Sequence, residues 1–135
     1  MTKFLALFLF ILTLVAPARA ASLERDLGHG LAYHRIHQLP ADLPPADPAR
    51  RQPCVLDLRY VHPDADAIPS AGQTLTAWLK FHATPRAPVF ILANADTSAA
   101  LLAPLTGHDA SGSVVVIGPA APGFAPDIAV RLSPG

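Results

Sequence analysis

The stretch that most constrains the fold is 88–105, with the sequence PVFILANADTSAALLAPL. It begins with four consecutive apolar residues, 89–92, a run too short for a helix and typical of a strand buried on both faces of a parallel sheet. Residues 94–96 favour a turn, and a helix-forming series over 99–103 follows until the next proline. The segment therefore predicts a strand, a turn and a helix, with the hydroxyl of Ser98 at the turn.

Other segments predict the partners of this unit. Strand-like content, rich in apolar, aromatic or β-branched residues, occurs at 31–37, 54–60 and 113–117. Apolar residues recur at helical spacing from Pro69 to Phe81, and a last edge strand is expected within 124–131. Strands that alternate with helices in this order predict an α/β fold, with a small, mainly parallel sheet and crossover helices.

Two segments are not expected to join this layered core. Residues 22–27 are polar and predict a frayed helix or a disordered lead before the chain break at Gly28-His29-Gly30. Residues 39–53 contain five prolines, which rules out a regular helix or a central strand there. The second segment therefore predicts a Pro-rich surface connection in the place of a crossover helix.

The first twenty residues have the parts of a secretory signal peptide. Lys3 precedes an apolar run over 4–15, and Ala18-Arg19-Ala20 offers an A-x-A cleavage site. The run is shorter than the ~20 apolar residues of a spanning helix, so cleavage is expected rather than an uncleaved anchor. The prediction is a signal peptide at 1–20 and a single domain at 21–135. We expect export to a bacterial periplasm or the extracellular space, with no stable membrane anchor after cleavage.

Composition narrows the classes of partner and cofactor. Ten basic side chains of Lys and Arg balance ten acidic ones, which argues against nucleic acid as a partner. Cys54 is the sole cysteine, so an intrachain disulfide is excluded. Its position at a strand start predicts a small buried side chain rather than a reactive thiol. The sequence implies no cofactor and no metal ion.

Ser98 is the candidate catalytic residue. A hydroxyl at the carboxyl end of a buried strand, facing a helix, lies where α/β folds place their chemistry. The competing interpretation is that Ser98 caps the helix beside Thr97. Lys80, the one lysine after the signal peptide, is expected at the solvated end of the preceding helix.

Three charged residues are interpreted as structural. Asp57 and Arg59 are expected to pair with each other or to cap a neighbouring helix. Asp127 is expected to hold the tail by local hydrogen bonds.

Five short segments occur in the order found in one peptidase family. They are a G-x-x-Y-x-R-I-like strand, a strand ending in L-D-L-R, a strand–turn–serine unit, a V-V-x-G strand and a late G-x-x-P-D-x-x-V segment. In this chain they correspond to 30–36, 55–59, 94–105, 114–118 and 123–130. Together they resemble the catalytic domain of the tail-specific (C-terminal processing) serine peptidases. The resemblance implies a crotonase-like (ClpP-like) fold and puts Ser98 at or beside the position of the nucleophile.

The chain departs from that family at the parts that carry catalysis. The glycine-rich loop after L-D-L-R is replaced by residues 60–64, which contain no glycine to supply an oxyanion amide. No glutamate follows Ser98, and the hairpin with the general-base lysine is absent between Gly118 and Pro126. The resemblance therefore implies a degenerate, non-catalytic member that acts as a binding or assembly module. The expected partner is a peptide or protein, and a homo-oligomer is a further expectation.

Several alternatives stay open at this point. One is a serine hydrolase or peptidase in which Ser98 uses an unconventional base, His62 or His108. Another is a weak metal-binding protein with a polar loop that contains His62, Asp64 and Asp66. A rhodanese-like domain also has an L-D-x-R strand, but the cysteine of its loop is missing here. A truncated form of a longer protein is the last alternative.

Overall fold

A computed structural model of the chain describes residues 23–97, 99–105, 113–120, 122 and 124–131. In these residues six strands form one sheet, and their order in the sheet is their order in the chain. The first two strands pair antiparallel, and every later pairing is parallel. The strands are β1 (Glu24–Asp26), β2 (Ala32–Arg35), β3 (Cys54–Asp57), β4 (Val89–Leu92), β5 (Val114–Gly118) and β6 (Ile128–Ala129). The predicted α/β fold with a mainly parallel sheet is confirmed.

Two α-helices connect the central strands. Helix α1 (Ile68–His82) joins β3 to β4, and helix α2 (Ala99–Leu102) with the 3₁₀ turn Ala103–Leu105 lies between β4 and β5. Both crossover helices were predicted from the sequence, and α1 agrees with its predicted bounds to within one residue at either end. No helix among the described residues is long and apolar enough to cross a membrane.

One face of the sheet and the two helices form the hydrophobic core. The buried apolar residues of β3 and β4 alternate along the strand, as the two-residue period of a strand requires. On the sheet they include Leu56, Val89, Ile91 and Val116, and on the helices Leu75, Leu79, Leu101 and Leu102. Each such side chain contributes roughly 1.5–3 kcal/mol on burial. The sheet is therefore held to the helices on this side.

Cys54 belongs to this core, as predicted. It starts β3 and is 1% exposed. Burial raises the pKa of its thiol to about 12. The thiolate form is therefore scarce at neutral pH, and the side chain packs as a small apolar group.

The lead segment is the main error of the sequence prediction. Glu24–Asp26 forms an edge strand, where a frayed helix or a disordered lead was expected. The turn 28–30 has positive φ at all three residues, including 54° at His29, and it folds the lead back onto β2. The Asp26 carboxylate accepts a hydrogen bond of 2.8 Å from the Gly28 amide and stabilises the turn. Tertiary pairing thus overrides the weak local preference of a polar segment.

The Pro-rich segment 39–53 connects β2 to β3 without an α-helix, as predicted. It contains the 3₁₀ turn Pro48–Arg50, whose first turn is capped by Asp47. Trp78 of α1 donates a hydrogen bond of 2.8 Å from Nε1 to the carbonyl oxygen of Pro44. This bond ties the connection to the helix layer.

The tail is held by Asp127, but through a more distant partner than expected. Its carboxylate accepts a hydrogen bond of 2.8 Å from the amide of Val116, eleven residues earlier. This bond lies beside the two-residue pairing of β6 with β5. The tail is therefore fixed to the neighbouring strand rather than by local hydrogen bonds alone.

Candidate functional site

The second face of the sheet has no helix layer among the described residues. The strand residues on this side alternate with the buried ones and are partly exposed: Val55, Phe90, Leu92, Val115 and Ile117. Ile128 continues the same side on β6 and is 50% exposed. We call this side of the sheet the open face. The expectation that β4 is buried on both faces was wrong, because Val89 and Ile91 are buried whereas Phe90 and Leu92 are only half-buried.

The strand register orders the open face into two rows. The first row crosses the sheet through Arg25, Tyr33, Val55, Phe90 and Val115. The second row crosses it through Arg35, Asp57, Leu92, Ile117 and Ile128. The polar residues of both rows lie on β1 to β3, whereas Val55 on β3 and every row residue on β4 to β6 are apolar. The open face is therefore mainly polar on the half formed by β1 to β3, which we call its polar side, and apolar on the half formed by β4 to β6.

The polar side is organised around the buried carboxylate of Asp57. Tyr33 Oη donates to its Oδ2 at 2.6 Å. Arg59 donates from Nε to Oδ1 at 2.8 Å, from Nη2 to Oδ2 at 2.7 Å, and from its backbone amide to Oδ1 at 3.2 Å. These four hydrogen bonds fill the acceptor sites of a carboxylate. The predicted pairing of Asp57 with Arg59 is confirmed.

The electrostatics of Asp57 follow from these contacts. Burial alone would raise the pKa of its carboxyl group, but hydrogen bonds from Arg59 and Tyr33 outweigh burial, so the net pKa is lowered. The side chain of Asp57 is fully buried and that of Arg59 is 43% exposed. Asp57 is therefore a charged, hydrogen-bonded anion at neutral pH, and its charge is balanced by Arg59.

Arg35 lies directly opposite Asp57 in the sheet but donates no hydrogen bond to its carboxylate. Its Nε atom is buried and has no hydrogen-bond partner. The guanidinium lies over the ring of Tyr60, 4.7 Å from the ring centre. The neighbouring Tyr33 hydroxyl is the main cause that raises the pKa of Arg35. Arg35 is thus a fixed cation with an unused donor at the carboxyl end of β2.

Ser98, the predicted catalytic residue, lies outside the described residues, as does His108. The turn before it is described, and it follows the predicted strand β4. Asn94 Oδ1 accepts from the amides of Asp96 and Thr97, and the buried Thr97 hydroxyl accepts from the amide of Asn94 at 3.0 Å. The polar groups of this turn are therefore engaged with one another.

Two other sequence candidates are exposed and lie outside the strands. Lys80 is exposed on α1, as predicted, and His62 is exposed in the loop after β3. Within the described ranges, no group of three His, Cys, Asp or Glu side chains is arranged to hold a metal ion.

A cavity of about 170 Å³ lies on the helix side of β1 and β2. Its lining includes Glu24, His34, Asp42 and Leu43. Burial is the main cause that lowers the pKa of His34, although nearby Glu24 opposes the shift. Asp42 already accepts hydrogen bonds from the amides of His37 and Gln38, both at 2.9 Å. The cavity is small and lined by apolar as well as polar residues, and the carboxylate of Asp42 is engaged in the turn that follows β2.

Sequence reasoning missed the open face and the role of Arg35. Unbroken apolar runs in β4 and β5 suggested cover on both sides, and no local signal distinguishes Phe90 from Val89. The position of Arg35 beside Asp57 follows only from the strand register. The sequence indicated that Asp57 pairs with Arg59 and gave no sign of a second arginine. Comparisons of the chain with family models, curated proteins and solved structures found no match.

Proposed function

We propose that this protein is an exported, non-catalytic binding module whose open face docks an apolar segment of a partner protein. One observation carries the proposal: a mainly parallel sheet presents a row-ordered, partly exposed apolar surface on the side opposite its helices. Parallel sheets are nearly always covered on both faces, because their backbone and apolar side chains are poorly matched to water. An apolar area of this kind marks a site of interaction.

The sheet edges support docking on the face rather than strand addition at an edge. The outer strand β1 is three residues long, fully exposed and made of charged residues. At the other edge β6 has only two residues. Short, charged edges disfavour pairing with an extended chain. The face is the larger interaction surface of the described sheet.

Charge favours a different protein over a second copy as the occupant. The register puts Arg25 and Arg35 on the open face, and the one carboxylate within its rows, that of Asp57, is already saturated. A second copy would bring further arginines and, in the described rows, no available acid. A partner with acidic as well as apolar residues complements the face.

The fold proposed for this module is a degenerate crotonase-like domain of the tail-specific peptidase type. The segments that carry the resemblance lie on consecutive elements: β2, β3, the turn after β4, β5 and the segment that leads into β6. The strands that carry these segments lie in the sheet in the order of the chain, which supports this proposed fold.

The docking proposal is tested by selection from a phage-displayed library of random peptides on the mature chain, residues 21–135. We expect peptides rich in apolar residues, whose affinity falls at least tenfold in Phe90→Gln. The matched control is Phe81→Gln, because Phe81 is an exposed phenylalanine (41%) on α1. Peptides that bind both variants equally, or no enrichment at all, would overturn the proposal.

Sedimentation velocity decides between a partner and a second copy. We expect a monomer at micromolar concentration for the mature chain. A dimer that Phe90→Gln dissociates and Phe81→Gln does not would assign the open face to self-association and refute a separate partner.

The non-catalytic part is tested with a fluorophosphonate probe, which reacts with activated serines. We expect no stoichiometric labelling of the purified mature protein. Labelling that disappears in Ser98→Ala would make the protein a serine hydrolase instead.

Export has its own test. Expression of the full chain in a bacterium, followed by N-terminal sequencing of the product from the periplasm or medium, is expected to give Ala21 as the first residue. An intact chain in the cytoplasm would contradict export.

A further inference from the structure

We propose that Arg35 binds a carboxylate of the docked segment and so makes the open face selective for acidic partners. This inference rests on the proposed function and adds the chemistry that the face recognises. One arginine of the polar side, Arg59, pairs with the carboxylate of Asp57, whereas the Nε of the other, Arg35, has no acceptor among the described residues.

Asp57 is adjacent to two arginines but binds only one. Arg59 and Tyr33 occupy its acceptor sites with side-chain bonds of 2.6 to 2.8 Å. Arg35 stands opposite Asp57 in the register yet keeps a buried Nε without an acceptor. A buried donor without a partner is costly, and more so on a charged group. Nε is closed to water and to a ligand oxygen alike, whereas the terminal nitrogens Nη1 and Nη2 are not buried and donate to no described group, so an incoming carboxylate can pair with them.

The guanidinium is held in place before any ligand arrives. Tyr60 supports it through a cation–π contact of 4.7 Å, and Tyr33 lies on the same strand two residues earlier. A second arginine, Arg59, approaches the same ring at 5.8 Å. Two guanidinium groups against a single buried carboxylate leave one positive charge in excess. A positioned arginine loses little entropy on binding, and its planar guanidinium suits a planar carboxylate.

The surface next to Arg35 indicates what kind of ligand carries the carboxylate. In the row of Arg35 the next residues beyond Asp57 are Leu92, Ile117 and Ile128. Strands lie about 4.8 Å apart, so Leu92 is about 10 Å from Arg35 across the sheet. An extended chain covers that distance in about three residues. The ligand is therefore a protein segment with an acidic group about three positions from an apolar anchor.

The experiment compares synthetic peptides derived from the selected phage clones. Each peptide is made with its acidic residue as Glu or as Gln, and with a free or amidated C-terminus, so that side-chain and terminal carboxylates are distinguished. By fluorescence anisotropy at 50 mM salt, we expect the acidic form to bind the wild-type protein roughly tenfold or more tightly than its neutral form, as for a charge-assisted hydrogen bond. The preference should shrink at 500 mM salt.

Variants locate the preference at Arg35. In Arg35→Gln the acidic and neutral peptides should bind with equal affinity. Arg86→Gln is the matched control, since it removes the same charge from an exposed turn before β4 and should retain the preference. Arg35→Lys keeps the positive charge but lacks the planar guanidinium group, so this variant should retain only part of the preference for the acidic peptide.

The two proposals fail in different ways. Peptides that depend on Phe90 but bind equally well as Glu and Gln forms would refute the carboxylate site and leave the docking face intact. Peptides that bind independently of Phe90 would refute the docking face. The wild-type comparison of Glu with Gln peptides does not depend on how any variant folds.

Discussion

At the scale of single residues, Gly118 shows how closely the sheet end is packed. A methyl group built on its α-carbon would lie 2.7 Å from the carbonyl oxygen of Ala93, which is backbone and cannot move aside cheaply. Ala93 in turn donates its amide to the carbonyl of Ile117 at 2.9 Å. The glycine therefore permits β4 and β5 to stay paired beyond the end of β4. A larger residue forces the two strands apart.

We accordingly expect Gly118→Ala to lower the free energy of unfolding by about 1–3 kcal/mol, the cost of an overpacked site. The control is Gly72→Ala in α1, where an added methyl group meets nothing within 4 Å. Alanine is the better helix former, so this control should raise stability by roughly 0.5–1 kcal/mol. Urea denaturation measures both. Equal effects of the two substitutions would show that the approach of Gly118 to Ala93 is absent in solution.

At the scale of elements, helix α1 and strand β4 were predicted correctly because the spacing of apolar residues along the chain determines both. Helix α1 was predicted because Leu75, Trp78 and Leu79 recur at helical spacing, and all three are buried as expected. Strand β4 was predicted from its run of four apolar residues, 89–92. Strand β1 was missed, since its three charged residues carry no strand signal and its pairing depends on a turn with positive φ at three residues.

The candidate site was harder to predict than the elements. Asp57 and Arg59 are two residues apart, and sequence alone indicated their pair. Arg35 is more than twenty residues from Asp57, and only parallel pairing of β2 with β3 in one register makes them neighbours. A single sequence does not show the register between strands that are distant in the chain, so it could not predict this contact.

The last turn of α1 leads to a prediction of pH dependence. His82 is buried, stacks on Trp78 with 4.4 Å between ring centres, and has a Nδ1 atom without a hydrogen-bond partner. Burial is the main cause that lowers its pKa below 6.5, and Arg51 adds to the shift. The unfolded chain therefore binds a proton at higher pH than the folded chain. The stability that His82 contributes is present above about pH 6.5 and is lost as the pH falls below it.

Denaturation between pH 7.5 and pH 5 measures this loss, whose slope for one histidine is at most about 1.4 kcal/mol per pH unit. His82→Phe keeps a ring against Trp78 and should reduce the slope. His34, whose pKa is also lowered, remains and should sustain part of it. His62→Gln, at an exposed histidine, should leave the slope unchanged. An identical slope in the wild-type protein and His82→Phe would contradict the prediction.

At the scale of the whole molecule, the described chain is a two-layer structure that leaves one side of its sheet without a helix layer. Strand residues of one parity reach the core, and those of the other parity form the open face. Both layers were expected from the order of the elements, whereas cover on a second face was expected from the apolar runs and is not found in the described residues. The apolar content of β4 and β5 thus exceeds what the core of the described residues requires. Docking of a partner is the physical reason we propose for that excess.

Adjacent residues of β5 test this asymmetry, because they point to opposite faces of the sheet. Val116 is 1% exposed in the core, whereas Val115 lies on the open face. Threonine has nearly the shape of valine, so each Val→Thr change mainly adds a hydroxyl group. We expect Val116→Thr to lower the free energy of unfolding by about 1–3 kcal/mol, the cost of a buried unpaired hydroxyl. Val115→Thr should cost less than about 0.5 kcal/mol, as at a surface site. Urea denaturation of residues 21–135 measures both values. Comparable losses would mean that the second face is covered in the free protein, and the open face would then be unavailable to a partner.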